Sequence, residues 1–214
     1  MSRPTKDPPG LEALLTSRPL HAVEWGLERT RSMLRELGDP QATFRSIHVG
    51  GTNGKGSAAA MAASVLQAEG FRTGLYTSPE LRETRDRYRV DGDPLPQDLL
   101  DDCATRVAPL ARKTGATFFE AATVLAFLAF RRAGVEWASV EVGLGGRLDA
   151  TNVLRPRACA VTGVALDHAR YLGDELEDVA REKAGILKEG VPCALGPVPG
   201  RLLRIFRDRA DEVG

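Results

Sequence analysis

The sequence predicts an α/β fold with a mostly parallel sheet and helices on both faces. Three observations carry that prediction. From residue 46 onward, short apolar runs alternate with helix-length segments, which is the order of parallel strands and their crossover helices. A glycine-rich stretch joins the first run to the helix after it. The composition is globular, with 43% hydrophobic and 27% charged residues over 214 positions, enough for one α/β domain or for part of a larger protein.

The elements follow in order. Residues 1–10 are polar and proline-rich and read as a flexible tail, leaving residues 11–214 as the domain. A helix is expected over 23–37, where Leu27, Met33, Leu34 and Leu37 share a face and Gly38 stops it. Strands are expected at 46–49, 72–76, 137–142, 158–164 and 192–195. Helices are expected at 55–69, 97–114, 117–133, 176–188 and 201–212. The Asp-Gly turn within residues 87–94 suggests a hairpin. The last helix reaches the C-terminus with no closing element, which fits a terminal helix docked on the sheet or a chain cut in mid-architecture.

Charge and targeting signals exclude several classes of function. Lys+Arg and Asp+Glu number 29 each, so bulk electrostatics gives no reason to expect a nucleic-acid or acidic-membrane partner. No apolar leader opens the chain, and the longest apolar run, residues 121–130, is half of the ~20 residues a spanning helix needs. Cys103, Cys159 and Cys193 are odd in number and form no C-x-x-C pair, which suits reduced thiols in a cytoplasmic protein.

Residues 46–57 read SIHVGGTNGKGS. Glycines allow the backbone to approach a ligand closely. Successive N–H groups at a helix N-terminus cradle phosphate oxygens, with Lys55 reaching the β- and γ-phosphates. The strict G-x-x-x-x-G-K-[ST] pattern is not met, because Val49 stands at its first glycine and Gly56 follows the lysine. The plain alternative is a glycine-rich strand–helix turn. Strand, loop, lysine and helix in this order favour a phosphate loop.

Ligands of a parallel α/β sheet bind beyond the carboxyl ends of its strands. Here the phosphate loop, Thr77-Ser78-Pro79, Glu141 and Asp167-His168 follow successive strands and fall along that edge. Glu141 ends an apolar strand, where its carboxylate suits a hard Mg²⁺ ion or, equally, solvent. His21 and His48 read as structural histidines. His168 differs by its place beside Asp167. On the helix over 176–188, Leu176, Val179, Ala180, Ile186 and Leu187 form the apolar stripe, and Lys183 lies on it. An inward lysine is costly unless it is paired or neutral. A neutral amine reacts with CO₂ to give an anionic carbamate that can bind metal; the alternative is a lysine snorkelling to the surface.

GTNGKGS (51–57), YTSPEL (76–81), TFFEA (117–121), EVGLGGRLDATN (141–152), LDH (166–168) and REKAGI (181–186) occur in this order, and the chain resembles dihydrofolate synthase/folylpolyglutamate synthase of the Mur ligase superfamily from about residue 11 to its end. The resemblance implies a P-loop NTPase-like Mur-ligase ATPase domain, truncated at its C-terminal end and without the separate C-terminal domain. It implies ligation of L-glutamate to dihydropteroate or folate polyglutamates through an acyl phosphate, in a cytoplasmic monomer with small-molecule partners only. Thr52, Asn53, Gly54, Lys55, Gly56 and Ser57 would hold ATP. Two Mg²⁺ ions would be held by Ser78, Glu141, His168 and a carbamylated Lys183, and the catalytic residues would be Lys55, His168 and Lys183. A conventional phosphate loop would give the metal to Ser57; the resemblance gives it to Ser78 instead. Thr117, Phe118, Phe119, Glu120, Leu148, Asp149 and Ala150 would line the pteridine and benzoate pocket, although simple core packing serves each of them as well.

Two departures from the family pattern stand out: Glu80 replaces the usual histidine, and Gly50 stands where alanine is common. The competing reading is a stand-alone nucleotide-binding module or inactive remnant. An amide ligase of cell-wall precursors is disfavoured by TFFEA and GGRLDATN.

Overall fold

The computed structural model describes residues 10–16, 24–167 and 169–214. In chain order the helices and strands are α1 (Leu11–Thr16), α2 (Glu28–Glu36), β1 (Arg45–Gly50), α3 (Lys55–Ala68), β2 (Thr73–Tyr76), β3 (Tyr88–Val90), β4 (Asp93–Pro94), α4 (Gln97–Thr114), α5 (Phe118–Arg132), β5 (Trp137–Glu141), β6 (Ala158–Val161), α6 (Ala169–Leu172), α7 (Leu176–Ala184), β7 (Cys193–Leu195) and α8 (Gly200–Val213).

The sheet order is β4-β3-β2-β5-β1-β6-β7. β2, β5, β1, β6 and β7 run parallel, and β3 and β4 form the expected antiparallel hairpin at one edge. β1 lies at the middle of the five parallel strands, with Val49 opposite Glu141 of β5 and Gly50 opposite Val161 of β6. All the strands that feed the site therefore end on the same edge.

The core divides into two clusters. The larger joins α1, α2, α4 and α5 to β2, β3 and β5, through Met33, Leu34, Leu100, Phe127, Phe130 and Tyr76 among others. The smaller joins α7 and α8 to β6 and the end of β5, through Val142, Val161, Ile186, Leu202 and Phe206. Helix α5 is apolar nearly all round, and all of its residues from Ala121 to Phe130 are buried. Its start is fixed by a capping box: Thr117 Oγ1 accepts from the Glu120 N–H, and the Glu120 carboxylate accepts from the Thr117 N–H. Glu120 also binds the Arg29 guanidinium at 3.0 Å, which ties α2 to α5.

The structure corrects several boundaries. The helix expected over 23–37 is shorter, because Gly26 at φ 137° takes the chain out of helical geometry before α2 begins; Val23 lies outside the described residues. The helix expected over 176–188 ends at Ala184. Gly185 packs its Cα against Arg147, and its carbonyl accepts from Asn152 Nδ2, so Ile186 and Leu187 are buried from a turn rather than a helix. The strand expected over 158–164 stops at Val161, since the next residues turn to hold the phosphate loop. Helices α1 and α6 are additions to the sequence reading. The expected tail, apart from Gly10, lies outside the described residues. Among the described residues no helix is long and apolar enough to cross a membrane, and all three cysteines are free thiols.

Candidate nucleotide and substrate site

β1 delivers the chain into the glycine-rich loop, and α3 carries it away. Gly51 sits at φ 136°, where a Cβ would overlap the Thr162 side chain and lie 2.9 Å from the Thr162 backbone nitrogen. The loop is held from the β6 side. Thr162 Oγ1 donates to the Asn53 carbonyl at 2.7 Å, and the Thr52 N–H donates to the Gly163 carbonyl at 3.0 Å. Thr52 Oγ1 donates to the Ala165 carbonyl at 3.1 Å and accepts from its N–H at 3.0 Å. With its carbonyls and the Thr52 hydroxyl engaged, the loop presents α3's first-turn N–H groups, which have no intrahelical acceptor, as an anion cradle. Lys55 Nζ bonds the Thr52 carbonyl at 3.1 Å, folded back over the loop.

Glu141 ends β5 beneath this cradle and is 5% exposed. Its Oε2 accepts from the Ser78 N–H at 2.9 Å. A Cβ at Gly56 would stand 3.3 Å from the same oxygen, so the glycine lets the helix start lie against the carboxylate. Burial raises the pKa of Glu141, opposed by the Ser78 N–H and the Lys55 charge. The solvent alternative for Glu141 is therefore closed. Ser57 is exposed on the first turn of α3, while Ser78 lies beside Glu141.

Lys183 points inward as the stripe predicts and is 3% exposed. Its Nζ donates to the Gly51 carbonyl at 2.9 Å. Burial, aided by the Lys55 charge, lowers its pKa to about 8, while Asp167 and Asp149 pull the other way. A small cavity between the amine and the loop is lined by Gly51, Lys55, Gly143, Asp167 and Leu172. Lys183 reaches this place because the segment 143–152 is packed hard on α7. A Cβ at Gly146 would stand 2.6 Å from the Glu182 carbonyl, and Arg147 pairs with Glu182 at 2.7 Å. His168 and His21 lie outside the described residues. Among the described residues, no three of His, Cys, Asp and Glu come together as a metal cage.

The expected substrate residues divide. The side chains of Thr117 and Glu120 are spent on the helix cap and on Arg29. Phe118 is buried with the Arg87 guanidinium over its ring at 5.2 Å, and Arg87 in turn pairs with Glu80. Phe119 packs against Gly143 and tilts toward Tyr76, ring centroids 6.2 Å apart. Asp149 is buried and accepts from the Leu144 and Thr151 N–H groups and the Thr151 hydroxyl; Ala150 is buried and Leu148 half-buried. The cleft itself, about 770 Å³, runs from the loop and Glu141 past Ser78 and Leu81 to Arg89. Thr162, Arg29 and Arg87 carry no sequence motif. Their parts in the site come only from strand order and packing.

A model of the Mur ligase middle domain matches residues 49–195. The chain belongs to the Mur ligase middle-domain family. This Mur ligase middle domain is 36% identical over 200 residues to the dihydrofolate synthetase of Saccharomyces cerevisiae, covering 90% of the chain and 47% of that relative. It is 41% identical over 191 residues to the folylpolyglutamate synthase of Lacticaseibacillus casei, covering 86% and 45%. Among solved structures, an FPGS complex with AMPPCP and folate superposes with a TM-score of 0.88 at 38% identity, over 95% of this chain and 52% of that one. The E. coli FolC complex with DHPP and ADP gives 0.85 at 34% identity, over 96% and 50%. The Mur ligase middle domain described here spans about half the length of these relatives.

Proposed function

We propose that this domain binds ATP and a folate-type carboxylate and activates that carboxylate for joining to L-glutamate, as part of an ATP-dependent ligase. One observation carries the reading. The loop that would hold phosphate, a buried carboxylate and a buried amine meet at one sheet edge, with Glu141 bonded to Ser78 and Lys183 bonded to Gly51. A structural helix start needs neither group. Similarity to proteins solved with AMPPCP, folate, DHPP and ADP supports the same reading.

The chemistry has two steps. A carboxylate oxygen of dihydropteroate or a folate glutamate attacks the γ-phosphorus of ATP, the β–γ bridging bond breaks, and ADP leaves. The glutamate amine then attacks the acyl carbon, phosphate departs, and the amine proton passes to solvent. The loop N–H groups and Lys55 stabilise charge on the phosphates during transfer. Of the expected pocket residues, half-buried Phe119 and Leu148 would be the ones left to meet the carboxylate substrate, since Phe118, Asp149 and Ala150 are buried.

Mg²⁺ fits the residues present. Glu141 offers carboxylate oxygens, one of them already accepting from the Ser78 N–H, and Ser78 and Glu141 line the same cleft. Glu141 and Ser78 would hold one ion, and His168 with a carbamylated Lys183 a second; bound there, Mg²⁺ supplies charge neutralisation for the phosphates. The depressed pKa of Lys183 leaves a share of neutral amine for CO₂ near neutral pH. We further infer that the ligase acts as a cytoplasmic monomer.

The test is nucleotide binding to this chain by calorimetry, then glutamate-dependent ADP release from the chain with and without folate substrate. Binding in the wild type and at least about a hundredfold weakening in Lys55→Ala, with an unchanged fold, is expected. No binding to the wild type refutes the reading. Binding without amide formation assigns to this span the stand-alone nucleotide-binding role.

A further inference from the structure

At the opposite end of the sheet, where β1, β5 and β6 begin, lies a second groove of about 820 Å³. Phe44, Val153 and Pro156 form an apolar floor, and Arg45, Arg155 and Arg157 stand around it. Arg45 rests over the Trp137 ring at 5.6 Å. Among the described residues, Arg155 and Arg157 have no carboxylate partner. Glu136 and Glu189 also line the groove, Glu136 accepting from the Arg72 N–H at 2.9 Å, and among the described residues neither is ion-paired with Arg155 or Arg157.

Further cations crowd the same end. Lys188 bonds the Asn152 carbonyl at 3.1 Å, and after burial the Arg31 and Arg209 charges are what hold its pKa down. Arg31 and Arg209 pair with Glu28 and Glu212 at 2.9 and 2.7 Å, yet their charge still reaches Lys188. In a chain of zero formal net charge this is a local excess that an anion would relieve. The groove is separate from the phosphate loop, because β1 runs from Arg45 to Gly50 between them, about 17 Å at 3.3 Å per residue.

We propose that this groove binds a multivalent anion, an oligophosphate or oligocarboxylate of small-molecule size, through Arg155 and Arg157 with Arg45 closing the third side. Planar guanidinium groups suit the paired oxygens of both chemistries. The inference stands apart from the ligase reading.

The test is a titration of ¹⁵N-labelled protein with inorganic tripolyphosphate, followed by amide NMR. In the wild type, the amides of residues 43, 157, 190 and 191 should shift and saturate, separately from those of residues 51–57. In Arg155→Ala/Arg157→Ala the first set should weaken about tenfold or more while the second is kept. In Lys55→Ala the pattern should reverse. Failure of the first set to move in the wild type overturns the proposal, as does its persistence at unchanged affinity in the double variant. Loss of the second set alone bears on the ligase reading and not on this groove. Citrate moving the same amides assigns carboxylates to the groove as well; silent citrate with active tripolyphosphate restricts it to phosphates.

Discussion

His48 Nε2 lies 2.8 Å from Thr151 Oγ1, and both side chains are buried. The Thr151 hydroxyl donates onward to the Asp149 carboxylate, so its oxygen accepts from His48 and the proton of the neutral ring sits on Nε2. The strand that launches the phosphate loop is thereby bonded to the loop that carries Asp149. Burial, with the Lys188 charge beside it, lowers the His48 pKa from 6.5 to about 3. Below pH 6.5 the unfolded chain takes up a proton that the folded chain refuses until about pH 3. The His48 contribution is therefore full above pH 6.5 and is lost as the pH falls between those values, by about 1.4 kcal/mol per unit. Urea unfolding of wild type and His48→Gln between pH 7.5 and 5 measures it, and the variant, which keeps a donor without titrating, should show the shallower slope.

Gly51→Ala should cost about 3 kcal/mol, from an unfavourable backbone angle and overlap with Thr162. Removing the Thr162 hydroxyl with alanine takes away the overlapping Oγ1 but cannot rescue the variant fully, because the Thr162 backbone nitrogen stands 2.9 Å from the new Cβ as well. Thermal unfolding of the single and double variants checks this, and a full rescue by Thr162→Ala would show that the clash is with the side chain alone.

Lys183→Met should separate chemistry from stability. Among the described residues the buried amine hydrogen-bonds one carbonyl, that of Gly51, which is a cost to the fold that an apolar chain of similar length removes. The variant should hold wild-type stability or exceed it by about 1 kcal/mol while ligase turnover in the whole protein is lost. A strongly destabilised variant would mean that the amine is there to fix the Gly51 carbonyl.

Glu120→Ala should destabilise by about 2–3 kcal/mol, because the α5 cap and the partner of Arg29 go together. Arg29 keeps solvent access and its bond to the Glu24 carbonyl, which holds the loss below that of a fully buried pair. Glu120→Gln, which still accepts from the Thr117 N–H, should lose less. Denaturant midpoints for the two variants give the order, and equal losses would place the whole effect in the charge.

The sheet and its ligand edge were legible because strand periodicity and glycine placement are local signals. Lys183 was legible for the same reason: its neighbours on the stripe declare which way it points. Glu141 needed the structure, since a carboxylate at the end of an apolar strand suits solvent or a site equally until Ser78 and Gly56 are seen against it. Thr117 and Glu120 illustrate the opposite limit. Their spacing fits a capping box as well as a binding pocket, and the partner that claims Glu120, Arg29, stands far away in sequence. Arg87 and Thr162 were invisible, because a buried arginine over Phe118 and a threonine gripping a loop have no periodicity of their own.

Thr162 follows the pairing of Gly50 with Val161, and that position carries a consequence for assembly of the chain. A slip of one residue between β1 and β6 would carry Thr162 some 3.3 Å along the strand and turn its side chain to the other face. The Asn53 carbonyl would lose its donor and Gly51 the neighbour it is shaped to fit. The phosphate loop thus acts as a proofreader of strand alignment, since only the correctly paired chain can close it.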